Sequence, residues 1–202
     1  MQTLTALYET FQAAQGAVYE LRAAGIPDRD ISLISTRTKD AFGSEDHSGA
    51  TTGASAGAGL GLLAGGTGGL LTGLGVMAIP GVGPVVAAGW LAAMVAGAAA
   101  GAVVGGATGG IIGALTDSGL SENDAHVYAE AVRRGGTLIT VRVPEEKVVE
   151  TDAILDRFQR VDVGERRRDY TEGGWNSFEP SLPPYNVTVS EDTRRADNPT
   201  GR

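Results

Sequence analysis

Polar and apolar residues alternate along Thr3–Tyr8, the period of a β-strand with one covered face. The period then changes. Phe11, Ala14, Val18 and Leu21 fall on one face of a helix that stops at Gly25, a residue type common just past helix C-termini. Pro27-Asp28 turns the chain into a second strand, Ile31–Ser35, with Ile31 and Leu33 on one face and Ser32 opposite. Residues 36–47 are a polar connector. Periodic pattern returns at Ser121, an N-cap with Asp124 three residues on. The helix it opens carries Ala125, Tyr128, Ala129 and Val132 on one face and ends at Gly135-Gly136. Thr137–Val143 is rich in β-branched residues and predicts a strand. Pro144-Glu145-Glu146 suits the first turn of a helix whose buried face is Val148, Leu155 and Phe158. Val161–Arg166 predicts a fourth, shorter strand.

Neither end of the chain has enough strands for a stable sheet by itself. Combined, the ends read β-α-β, an insertion, then α-β-α-β. The predicted fold class is therefore α+β: one ferredoxin-like four-stranded sheet with helices on one face and an extra helix. Residues 1–47 and 117–167 form its two halves, 48–116 is the insertion, and 168–202 is an extended, partly disordered tail with Trp175, Phe178, Pro180, Pro183, Pro184 and Tyr185. Its aromatics can dock it; residues 190–202 are polar.

The insertion changes the picture most. From Ser48 to Thr116 there is no Asp, Glu, Lys, Arg or His. Glycines stand four apart at Gly49, Gly53, Gly57, Gly61, Gly65, Gly69 and Gly73, and again at Gly97, Gly101, Gly105, Gly109 and Gly113. Between the two series lies Ile79-Pro80-Gly81-Val82-Gly83-Pro84, which cannot continue a helix. The expectation is a glycine-zipper hairpin of two helices joined by this turn. Each glycine in a solvated helix costs roughly 1 kcal/mol against alanine. That cost is tolerable where backbones approach closely, above all in lipid. Val85–Val104 has the length and apolarity of a transmembrane helix, with Trp90 as an interfacial anchor; Ala54–Ile79 is long enough but weakly hydrophobic. A four-residue period drifts by about 40° per step around a 3.6-residue turn, so the groove winds around the helix and favours homo-oligomers.

Composition narrows the chemistry. The net charge of −8 disfavours nucleic acid and anionic lipid surfaces as non-specific partners. No cysteine is present, which removes disulfides and thiol nucleophiles. His47 and His126 are the two histidines; the first lies in a solvated loop beside Glu45 and Asp46, the second within a surface helix. Met1–Tyr8 lacks the basic start and apolar run of a signal peptide. Gly59-x-Gly61-x-x-Ala64 and Gly73-x-Gly75-x-x-Ala78 match the dinucleotide fingerprint, but both sit inside the zipper without a preceding strand. Arg166-Arg167-Arg168 reads as a solvated strand end balanced by Glu165 and Asp169. Asn186-Val187-Thr188 fits a glycosylation pattern that means little without a signal peptide. No nucleophile–base pair emerges, so no catalytic, metal or cofactor residue is expected.

Three stretches carry a family resemblance. Leu21-Arg22-Ala23-Ala24-Gly25-Ile26 with Asp30–Ser35, the segment Ala78–Pro84 with Gly135–Val141, and Ile154–Phe158 through Val161–Val163 resemble the bacterial general stress protein 17M-like (heat-induced stress protein) domain and its longer, glycine-rich members. The resemblance covers residues 3–167 and its motifs are structural, so it implies a stress-associated bacterial protein and assigns no site residue. Two functions follow as expectations. One is a non-enzymatic protein anchored in the inner membrane through the zipper hairpin, with the α+β domain in the cytoplasm. The other is a soluble, cytoplasmic binding or assembly module that uses its sheet for a ligand and the zipper for homo-oligomerisation. An enzyme is a third and weaker reading.

Overall fold

The computed structural model describes residues 1–36, 75–79, 81–105, 110–182 and 185. Strand β1 (Gln2–Tyr8) leads into α1 (Phe11–Ala23), whose first turn is capped where the Thr10 hydroxyl accepts from the Ala13 N–H at 3.2 Å. Strand β2 (Ile31–Ser35) follows a single 3-10 turn at Asp28–Asp30. The charge-free segment then contributes β3 (Gly75–Ile79), β4 (Gly83–Ala88), α2 (Trp90–Gly105) and α3 (Ile111–Asp117). Helix α4 (Glu122–Arg133) starts at the Ser121 cap, and β5 (Thr137–Val143), α5 (Val148–Asp156) and α6 (Val163–Glu172) complete the order.

The strands form one five-stranded sheet in the order β1-β5-β2-β4-β3, with every described pairing antiparallel. The β1-α1-β2 unit brackets β5, so both ends of the chain share the sheet. The predicted mixed α and β architecture is present; the four-stranded ferredoxin-like sheet is not what forms. Val161–Arg166 is not a strand. Asp162 caps α6 by accepting from the Glu165 N–H at 2.7 Å, and Val161 keeps one strand-like bond, donating its N–H to the Leu7 carbonyl at 2.8 Å. A capping pair three residues apart outweighed a short apolar alternation. The places beyond β2 go instead to the β3–β4 hairpin.

Helices cover both faces of the sheet, not one. Ala6, Tyr8, Ile31, Leu33, Val86, Ile139 and Val141 pack with Phe11, Val18 and Leu21 of α1 and Leu155 of α5. The Tyr8 hydroxyl donates to the Leu155 carbonyl at 2.9 Å, and burial holds its phenol well above the usual tyrosine range. On the opposite face Leu7, Ile34, Val85, Ala87 and Leu138 pack with Leu91 and Val95 of α2, Ile111 and Leu115 of α3, and Val127 and Val132 of α4. The period of two along β4 feeds both layers, Val85 and Ala87 one way and Val86 and Ala88 the other.

This arrangement corrects the membrane expectation. Among the described residues no helix is long and apolar enough to cross a membrane. The predicted span Val85–Val104 is divided: Val85 and Val86 are fully buried in β4, and the chain then turns at Gly89 into α2. With 16 residues α2 reaches about 24 Å at 1.5 Å per residue, short of a hydrocarbon core of about 30 Å. Val85, Ala87, Leu91, Ala92 and Val95 of this segment are buried in a core shared with residues of α3 and α4. The turn Ile79–Pro84 joins two strands, not two helices: the Val82 N–H donates to the Ile79 carbonyl at 3.0 Å, and Ile79 pairs with Gly83. Of the first glycine series, Gly49, Gly53, Gly57, Gly61, Gly65, Gly69 and Gly73 lie outside the described residues. Gly97, Gly101 and Gly105 are on α2, Gly113 is on α3, and Gly109 lies outside the described residues. A Cβ at Gly97 would meet no heavy atom within 4 Å.

Candidate functional site

The second layer of helices turns the polar face of three strands into interior. On the side of Leu7, Ile34 and Leu138, the alternation also places Thr5 of β1, Ser32 of β2, and Thr140 and Arg142 of β5. Register aligns them: Thr5 is opposite Thr140, Thr140 is opposite Ser32, and Arg142 is opposite Thr3. Ser32 and Thr140 are buried, at 1% and 0% exposure. Ser32 donates its hydroxyl to the Ala88 carbonyl at 2.7 Å.

Next to Ala88 the chain bends sharply. Gly89 adopts φ +87° and passes over the β2 backbone, so that Trp90 opens α2 above the polar row. The Arg142 guanidinium lies over the Trp90 ring, 4.6 Å from its centroid. Its Nη2 donates to Asp30 Oδ1 at 3.1 Å and to the Arg29 carbonyl at 3.3 Å, while Arg29 Nε stands 3.6 Å from Asp30 Oδ2. Four buried polar atoms in this neighbourhood have no hydrogen-bond partner among the described residues: Thr5 Oγ1, Thr140 Oγ1, Trp90 Nε1 and Arg142 Nε. Two of these are N–H groups that only donate; the hydroxyls donate or accept. The row reaches solvent at Arg142, whose side chain is 38% exposed.

A second polar centre, in α4, is held by ion pairs and serves the tail. Glu130, at 0% exposure, meets Arg133 Nη2 at 2.6 Å and Arg134 Nε at 2.6 Å. Arg133 lies over the rings of Phe178 and Tyr185, and Arg134 over those of Tyr170 and Tyr185. The Phe178 N–H donates to His126 Nδ1 at 3.1 Å, which gives His126 a structural partner. Gly81, at φ +76°, lets the hairpin turn lie against Pro180; a Cβ there would come within 2.5 Å of the Pro180 Cα. The tail is thus strapped to α4 and to the hairpin by its aromatics, as its composition suggests. Replacing Phe178 by alanine is expected to cost about 3 kcal/mol and to expose residues 173–182 to protease. Unchanged proteolysis would show that the tail docks without this side chain.

The remaining sequence candidates fall elsewhere. His47 and the Gly59–Ala64 fingerprint lie outside the described residues; Gly75 and Ala78 of the second fingerprint are in β3, not at the start of a helix. Arg166 and Arg167 are on α6 and pair with Glu9 and Asp124, not with Glu165 and Asp169. Among the described residues no three His, Asp or Glu side chains are grouped to hold a metal. Sequence reasoning passed over Thr5, Thr140, Trp90 and Arg142 as a group. Their signal was the alternation itself: a polar face on β1, β2 and β5 reads as solvent-facing until a second helical layer covers it.

Fold and site together define an α/β/α sandwich on an antiparallel sheet, with an unpaired polar row under one helical layer. No family model, curated protein or solved structure matches the chain.

Proposed function

We propose that the chain is a non-catalytic binding module whose ligand pairs the polar row at Thr5, Thr140, Trp90 and Arg142. The observation that carries it is the clustering of four unpaired buried polar groups on one sheet face. Each such group costs about 1–3 kcal/mol when left unpaired, and an apolar isostere would avoid the cost. Retaining them side by side makes sense where a bound molecule supplies the missing partners. A cytoplasmic setting belongs to this proposal. So does the stress-protein resemblance, which rests on the residues quoted for it alone.

The test is Thr140→Val, which keeps the shape and removes the hydroxyl. The expected result is a free protein as stable as the parent or more stable, by about 1 kcal/mol, with ligand-induced stabilisation abolished in a thermal-shift screen of small polar metabolites. A variant that melts well below the parent would mean the hydroxyl already has a structural partner, and the binding reading would fall.

A further inference from the structure

We infer that the ligand of this row is a small monocarboxylate, an inference that rests on the binding reading above. The groups awaiting partners set the chemistry. Trp90 Nε1–H and Arg142 Nε–H can only donate, so the ligand must present acceptors. Arg142 already commits Nη2 to Asp30 Oδ1 and to the Arg29 carbonyl, which leaves its Nε edge for the incoming group. A carboxylate offers two oxygens on one planar group, matching a guanidinium edge and a neighbouring N–H better than a single carbonyl does. Thr140 and Thr5, whose hydroxyls can donate or accept, complete the set from the sheet.

Charge selects among acceptors. Arg142 is already paired with Asp30 at 3.1 Å, and Arg29, 82% exposed, stands 3.6 Å from the other Asp30 oxygen. Trp90 is the first residue of α2, so the positive end of that helix favours an anion there. A monoanion places one negative charge beside Asp30. A phosphate monoester, with a charge of about −1.5 to −2 at neutral pH, places more. The chain's net charge of −8 opposes polyanions further. Entry is at Arg142, the exposed end of the row.

The experiment uses the full chain, isotope-labelled, and follows the indole N–H resonances by NMR. The chain has two tryptophans, so two signals are expected, and Trp175→Phe assigns them. Benzoate, benzamide and inorganic phosphate are titrated at constant ionic strength. The expected result is a saturable downfield shift of the Trp90 N–H with benzoate, at least tenfold tighter than with benzamide or phosphate, and absent in Thr140→Val. Benzamide binding as well as benzoate, or phosphate binding better, with the response still lost in Thr140→Val, would overturn the carboxylate assignment and leave the binding module standing. If none of the three gives a saturable, Thr140-dependent shift, both are overturned.

Discussion

Replacing Gly89 by alanine is expected to destabilise the protein by 4 kcal/mol or more, a large share of the roughly 5–15 kcal/mol that holds a domain folded. Two effects add. The residue sits at φ +87°, where an L side chain costs about 1–2 kcal/mol. Its new Cβ would also be driven into the Ile31 carbonyl oxygen and would lie 2.7 Å from the Ser32 Cα. Those atoms belong to β2, which is paired on both sides, to β5 and to β4, so it cannot retreat without breaking a ladder. Gly174 supplies the control. It has a similar φ of +84°, but a Cβ there meets nothing within 4 Å. Gly174→Ala should therefore lose only the conformational part, about 1 kcal/mol. Urea midpoints of the two variants beside the parent measure the difference. Equal losses would mean that α2 does not pass tightly over β2, and the closed polar row would lose its roof.

Glu130→Leu is the second large effect, with an expected loss of about 3–5 kcal/mol. The carboxylate is fully buried and faces two guanidiniums, and Arg133 itself is only 4% exposed. Removing one partner of such a group leaves a buried charge without compensation, which costs more than the intact pair contributes. The loss should spread to the tail, because Arg133 and Arg134 are the cations under Phe178, Tyr170 and Tyr185. Faster proteolysis of residues 173–182 should accompany the lower midpoint. The double variant Glu130→Leu with Arg133→Leu should recover much of the stability, since it removes the stranded charge; a double-mutant cycle reads the coupling. Additive losses would show that the two side chains do not act as a buried pair.

Local features carried most of what was legible in the sequence. The Thr10 and Ser121 caps, the β-branched run of β5 and the 3.6-residue faces of α1 and α4 each depend on residues within a turn or two of one another. The fourth strand failed for the same reason: Asp162 and Glu165 encode a helix start that the apolar alternation at Val161 and Val163 conceals. The candidate site was invisible because no short segment contains it. Thr5, Ser32, Trp90 and Thr140 come from four separate elements and become neighbours only through sheet register and the bend at Gly89.

By itself, then, the sequence determined the identity of β1, α1, β2, α4 and β5, the sharing of one sheet by both ends, and the aromatic docking of the tail. Tertiary structure alone decided the fate of the described part of the charge-free segment, residues 75–79, 81–105 and 110–116. A run without charges satisfies a bilayer and a protein interior equally, since both are dry and of low dielectric. What distinguishes them is which surface lies opposite. Here β2 offered an unpaired edge and an uncovered face. Val85, Val86, Leu91 and Val95 could be buried there with their backbone groups paired, and that burial converted an outer polar face into the interior row on which the proposed function rests.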